Sequence, residues 1–217
     1  MPSIITHAAV PLALWCAADR GRIPPRLLAA GVIAAMLPDA DVLAFALHIP
    51  YADAFGHRGA SHSLVFASVL AALAAVLAFV GSRRPWSAPH SSGSRRPWSA
   101  VLCQPRLAPT KARPRLASTT STVQAAAFVF VCAASHPLLD AMTSGGLGVA
   151  LAWPWSEHRF FAPWRPIRVS PFAPQFFSAR GLATLLSELR WVWLPLATAV
   201  VAWKLIQPAP AAPRNPS

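Results

Sequence analysis

From Leu64 to Gly81 the chain runs for eighteen residues without one charged side chain. That length approaches the roughly 20 apolar residues a helix needs to cross the hydrocarbon core of a bilayer, so the run has few alternatives to a membrane span. Comparable stretches occur at about 4 to 18, 27 to 49, 123 to 141 and 191 to 207. Composition agrees: 55% of the 217 residues are hydrophobic and only 12% are charged, against roughly 25% charged in an ordinary soluble domain. The expected fold is all-α, a multi-pass transmembrane bundle of four or five spans.

The net charge of +12 would suit nucleic acid if it lay on one folded face with readable motifs. It lies mainly between the apolar runs instead, which points to lipid headgroups, and no nucleic acid partner is expected. Residues 82 to 122 hold Arg83, Arg84, Arg95, Arg96, Arg106, Lys111, Arg113 and Arg115 without one acid, and repeat "SRRPWSA" at 82 to 88 and 94 to 100. Such low complexity reads as a disordered basic loop, with His90 a solvated linker residue; residues 208 to 217 read as a disordered tail. The three cysteines, Cys16, Cys103 and Cys132, are odd in number and far apart, so they read as packing residues rather than a disulfide framework. The N-terminus lacks a basic leader and a small-x-small cleavage pattern, and is expected to be retained.

Basic loops stay in the cytoplasm. With 82 to 122 inside, Arg20, Arg22, Arg26, Lys204 and Arg214 fall inside too, while Arg58, Arg159, Arg165, Arg168, Arg180 and Arg190 fall outside. The runs 64 to 81 and 123 to 141 are then antiparallel, so that His57 and His62, just before the first, meet His136 and Asp140 near the end of the second at the outer face. His7 opens the first helix on that side. Asp39 and Asp41 rise toward it in a span that Pro38 should kink or unwind at "LPDAD", because proline lacks the backbone donor.

His136 and Asp140 stand four apart, on one face of a helix, a spacing that suits two ligands of one ion. Asp39 and Asp41 are either helix-capping residues or functional carboxylates, which is the default for acids inside a membrane segment. His57 and His62 flank the turn "RGAS"; Ser61 and Ser63 either orient ligands or cap the following helix. Imidazoles and carboxylates without thiolates suit Zn²⁺ or a similar divalent ion that activates water. No G-x-S-x-G elbow supports serine chemistry. His48 and His158 read as structural. Residues 144 to 178 form an irregular outer segment, with Trp153, Trp155, Trp164, Trp191 and Trp193 as an interfacial belt. There Arg159, Arg165 and Arg168, with Arg58, either bind an anionic substrate or meet lipid phosphates.

In order, "THAAV", "LPDADV", "HRGASHSL", "HPLLDAMTSGGLGVALAWPWS" and "FFAPWRPIRVSP" resemble the bacterial membrane-bound metal-dependent hydrolase family, the YdjM-like group. The likeness covers most of residues 1 to 171 apart from the basic insert, which is unlike the family's compact loop. It implies a single multi-pass hydrolase-like domain over 1 to 207, in the inner membrane. The ligand order is also similar to that of zinc-dependent phospholipase C and related single-strand nucleases. By that likeness His7, one of Asp39 and Asp41, His57 or His62, His136 and Asp140 would be ligands, with Asp140 bridging two ions. The H-x-x-x-E group of those enzymes has no counterpart here, which argues against a third ion. The reading is a metal-dependent hydrolase of a phosphoester or lipid-linked substrate, using one or two divalent ions, with Asp39 or Asp41 taking the proton from water. Its rivals are a divalent-ion-binding or transport protein, and a structural membrane protein.

Overall fold

The computed structural model describes residues 2–19, 22–82, 121–171 and 175–207. Nearly all of the basic insert, with His90 and Cys103, and the tail 208 to 217 lie outside the described residues. Within them the chain is helical, with no strand beyond two isolated bridges, Thr143 to Ile167 and Val149 to Phe160. Four helices are long and apolar enough to cross a membrane: Pro25–Ala46, Leu64–Ser82, Thr122–Ala141 and Ala179–Ile206; a shorter one spans Ile4–Ala17.

The first helix opens as a 3-10 turn, Ile4–Ala8, and continues as α1, Ala9–Ala17. α2, Pro25–Met36, starts on a proline, whose missing N–H costs nothing in the first turn and whose fixed φ suits a helix. The second proline, Pro38, stands where an α-helix needs a donor. There the chain tightens into a 3-10 segment, Leu37–Val42, before one more turn, α3, Leu43–Ala46. His48, left-handed at φ 57, closes that turn. Its N–H reaches the Phe45 carbonyl at 3.2 Å, and the Ile49 N–H reaches the Ala44 carbonyl at 2.9 Å, the paired bonds of a Schellman end.

α4, Leu64–Ser82, and α5, Thr122–Ala141, run antiparallel. α4 is capped by Ser63, whose hydroxyl accepts the Phe66 N–H at 3.1 Å. α5 is capped by Ser121, which accepts from Gln124 at 3.0 Å. Small residues let α5 sit close against its neighbours: Ala34 and Ala35 of α2 and Ala67 of α4 are buried with Ala125, Phe128, Val129, Cys132 and Ala133. Within a bilayer such close backbone approach, rather than water exclusion, is what holds helices together. Cys132 is a buried packing residue and Cys16 is exposed; both are free thiols.

The last span is longer than its apolar pattern predicts. Helix begins at α6, Ala179–Glu188, passes through a π turn, Leu189–Trp193, and ends as α7, Leu194–Ile206. The uninterrupted apolar run begins only at 191, because polar residues break it before then; α6 is amphipathic, burying Gly181, Thr184 and Glu188, a pattern that an unbroken-run criterion misses.

Two polar contacts fix which ends meet. Lys204 donates to the Ala18 carbonyl at 3.1 Å, and the Gln124 side chain to the Arg22 carbonyl at 2.6 Å. The end of α7, the α1–α2 connection and the start of α5 therefore share one end of the bundle. His136 lies about 20 Å further along α5, taking about 1.5 Å per residue.

Candidate metal centre

Three interruptions of regular α-helix and one intact helix build a buried polar centre at the far end. The 3-10 segment after Met36 delivers Asp39; a second, Ala60–His62, delivers His62; the last two turns of α5 deliver His136 and Asp140. One ligand atom from each of these four lies within 4.8 Å of all the others, and all four residues are buried. His7, from the N-terminal 3-10 turn, stacks on His136 with ring centroids 3.6 Å apart and an 18° interplanar angle. Its Nε2 stands 3.6 Å from Asp39 Oδ2 and 3.8 Å from Asp140 Oδ1.

The donor set fits a divalent cation. His136 Nδ1 meets the Ala35 carbonyl at 2.7 Å, and only a protonated Nδ1 can bond there. His62 Nδ1 lies 3.1 Å from Asp41 Oδ2. With each Nδ1 committed to an acceptor, the two Nε2 atoms face one another at 2.9 Å. Two lone pairs so placed repel unless a positive charge, proton or metal, lies between them. Tetrahedral zinc with bonds of about 2.0 Å has ligand atoms about 3.3 Å apart, near the 3.5 Å of His136 Nε2 to Asp39 Oδ1 and the 3.3 Å of His62 Nε2 to Asp140 Oδ2. Neither oxygen of Asp39 and neither ring nitrogen of His7 has a hydrogen-bond partner among the described residues, and buried polar groups are rarely left so. Burial works against a charged His62 ring, but the bonds and charges of Asp140 and Asp41 prevail and its pKa is pushed up to about 9. A cation taking Nε2 must displace that proton.

A further set of groups orients these. Asp41 accepts from His57 Nδ1 at 2.5 Å, from the Arg58 N–H at 3.0 Å and from Ser61 Oγ at 2.7 Å, besides facing His62. Asp39 and Asp41 diverge because a 3-10 turn holds three residues, which turns side chains two apart to different neighbours. Thus Asp39 enters the four-residue group, while Asp41 and His57 stand behind His62. Carboxylate–imidazole pairs of this kind fix the tautomer and aim of a ligand.

Arg58, fully buried and left-handed at φ 64, turns its side chain inward. Its Nε pairs with Asp140 Oδ2 at 3.0 Å, Nη1 donates to the Gly145 carbonyl at 3.0 Å and Nη2 to Thr143 Oγ1 at 3.1 Å. Arg159 donates to the carbonyls of His57, Tyr51 and Asp53 at 2.8–3.2 Å, lashing the loop before α4 to the 144 to 171 segment. Arg165 is exposed and lies over the Phe161 ring at 4.8 Å. Arg168 is exposed as well, its backbone N–H held by Ser187. His158 is exposed and packs edge-on against Phe160.

Sequence reasoning missed Thr143, which holds Arg58, the Ala35 carbonyl behind His136, and Glu188. A main-chain carbonyl leaves no mark in a sequence. Glu188 did: it is an acid within an apolar span, where ionisable groups are rarely idle.

The family model for the YdjM inner membrane protein matches residues 1–211. The Escherichia coli (strain K12) protein "Inner membrane protein YbcI" is 42% identical over 196 residues, covering 90% of this chain and 92% of that protein. No solved structure matches.

Proposed function

Because the chain belongs to the YdjM inner membrane protein family, and so is an inner-membrane protein, we propose that its buried centre holds a divalent metal ion and hydrolyses a phosphoester or lipid-linked substrate. The observation that carries this is the convergence of Asp39, His62, His136 and Asp140 from three separate elements, with ligand atoms within 4.8 Å of one another. Zn²⁺ suits the nitrogen and oxygen donors. An ion there supplies a Lewis acid able to make water nucleophilic near neutral pH.

The chain's own groups do the rest. His62 and His136 offer Nε2, their rings held by Asp41 and the Ala35 carbonyl. Arg58 holds one oxygen of Asp140 and keeps that carboxylate turned to the centre. Asp39 Oδ2, which faces His7 Nε2 at 3.6 Å, is the oxygen best set to take a proton from water. The shell of buried side chains keeps bulk solvent out, which strengthens each of these interactions. The site faces the outer leaflet: Arg22, Arg26 and Lys204 belong to the opposite end of the bundle, and basic segments favour the cytoplasm. Arg165 and Arg168, exposed on the segment beside the site, meet anionic headgroups or the substrate's phosphate.

The test is a screen of phosphomonoesters, phosphodiesters and lipid phosphates with the detergent-purified protein, with and without chelator. Turnover should vanish with chelator, return with Zn²⁺, and fall by about 10²-fold or more in His62→Ala, since the ion contributes several kcal/mol to the barrier. Turnover indifferent to chelator would refute the mechanism. Divalent-ion uptake into proteoliposomes with no ester cleaved would replace it with the transport reading.

A further inference from the structure

Each imidazole of the centre but one is held by a bond to its own ring: His136 Nδ1 by the Ala35 carbonyl, and His57 and His62 Nδ1 by Asp41. His7 is the exception, since neither of its ring nitrogens has a hydrogen-bond partner among the described residues. A buried ring without such a tether is aimed only by its stacking on His136 and by the backbone that carries it. That backbone is anchored elsewhere. Glu188, 1% exposed on the last span, accepts the Ser3 N–H on Oε1 at 2.5 Å, Ser3 Oγ on Oε2 at 2.5 Å and Thr6 Oγ1 on Oε2 at 2.7 Å. Trp193, one turn on, donates its indole N–H to the same Thr6 Oγ1 at 3.1 Å.

The N-terminal 3-10 turn begins after Ser3, whose side chain makes no cap bond of its own. Glu188 supplies from another helix what a capping residue ordinarily supplies locally, satisfying an N-terminal backbone donor. We infer that Glu188 is a positioning residue: through Ser3 and Thr6 it clamps the turn that aims His7 at the Asp39 and Asp140 carboxylates, and so ties the last membrane span to the centre. Its metal arm rests on the function proposed above; its geometric arm does not.

The geometric arm uses metal-free, full-length protein and diethyl pyrocarbonate, which modifies accessible histidines, read by mass spectrometry. In the wild type His7 should be protected while exposed His48 and His158 react; in Glu188→Ala His7 should react about tenfold or more faster, with His48, His158 and His136 unchanged. Glu188→Gln, which keeps one acceptor oxygen, should fall between, and Trp193→Phe should move His7 less. The metal arm uses Co²⁺ alone as the probe. Glu188→Ala should weaken Co²⁺ binding by about tenfold, the scale of lost outer partners, and shift the visible spectrum toward that of His7→Ala, while the double variant matches His7→Ala. His7 still protected in Glu188→Ala, or losses that add in the double variant, would overturn the inference. If His7 is freed in Glu188→Ala but the wild type takes up no Co²⁺, the clamp stands and the metal reading falls; if every histidine of the variant reacts alike, Glu188 holds the fold rather than His7, and the inference fails.

Discussion

α4 and α5 pack against each other along their lengths, yet they solve different problems. α4 has the higher mean hydropathy of the two, and only 11% of its apolar stretch is buried inside the protein; for α5 the figure is 44%. α4 is thus largely a lipid-facing wall whose outward residues, Leu73 and Leu77 among them, are more than half exposed. α5 is the central post: it fills the core with Phe128, Val129 and Cys132 and carries His136 and Asp140 at its end. The strongest membrane signal in the chain therefore marks the helix with the least chemistry. A helix that carries polar groups inward must give up some hydropathy to do so.

That contrast can be broken by substitution. The largest effect on stability is expected at the polar end of α5. Arg58→Ala leaves Asp140 buried without its cation, and removing one member of a buried ion pair destabilises by about 3–5 kcal/mol; thermal unfolding in detergent should fall sharply. Next comes the tight seam between α2 and α5. A side chain on Gly31 would run into the Phe128 ring and Cys132 Sγ, so Gly31→Leu should destabilise by about 1–3 kcal/mol through overpacking, read by the same unfolding measurement. Smallest is the lipid face of α4: Leu77→Ala, at a site 63% exposed, should change unfolding by no more than about 0.5 kcal/mol. A large loss there would mean that α4 contacts a second protein surface rather than lipid.

The sequence made the spans legible because apolar length is a one-dimensional property, and Leu64–Ser82 and Thr122–Ala141 appear close to their expected bounds. The kink at Pro38 was equally legible, since a missing donor acts locally. The start of the last span was not, because the amphipathic α6 shows its apolar stripe only once wound. For the site, the pairing of His136 with Asp140 followed from helical periodicity, and the meeting of both with His62 followed from antiparallel alternation of spans. The different surroundings of Asp39 and Asp41 did not follow, because they depend on the pitch of a 3-10 turn. Nor did the placement of Arg58: a left-handed backbone at an arginine sends a side chain expected near a phosphate into the protein. Ser61 and Ser63 divide the two roles open to them, Ser61 holding Asp41 and Ser63 capping α4.

The proposed function stands on Asp39, His62, His136 and Asp140 sharing one cation. The direct measurement is elemental analysis of the detergent-purified protein after loading with Zn²⁺ and desalting, beside a His136→Ala, Asp140→Ala double variant that remains monodisperse. The wild type should retain at least one tightly held ion per chain and the variant none. Equal and negligible metal in both would contradict it.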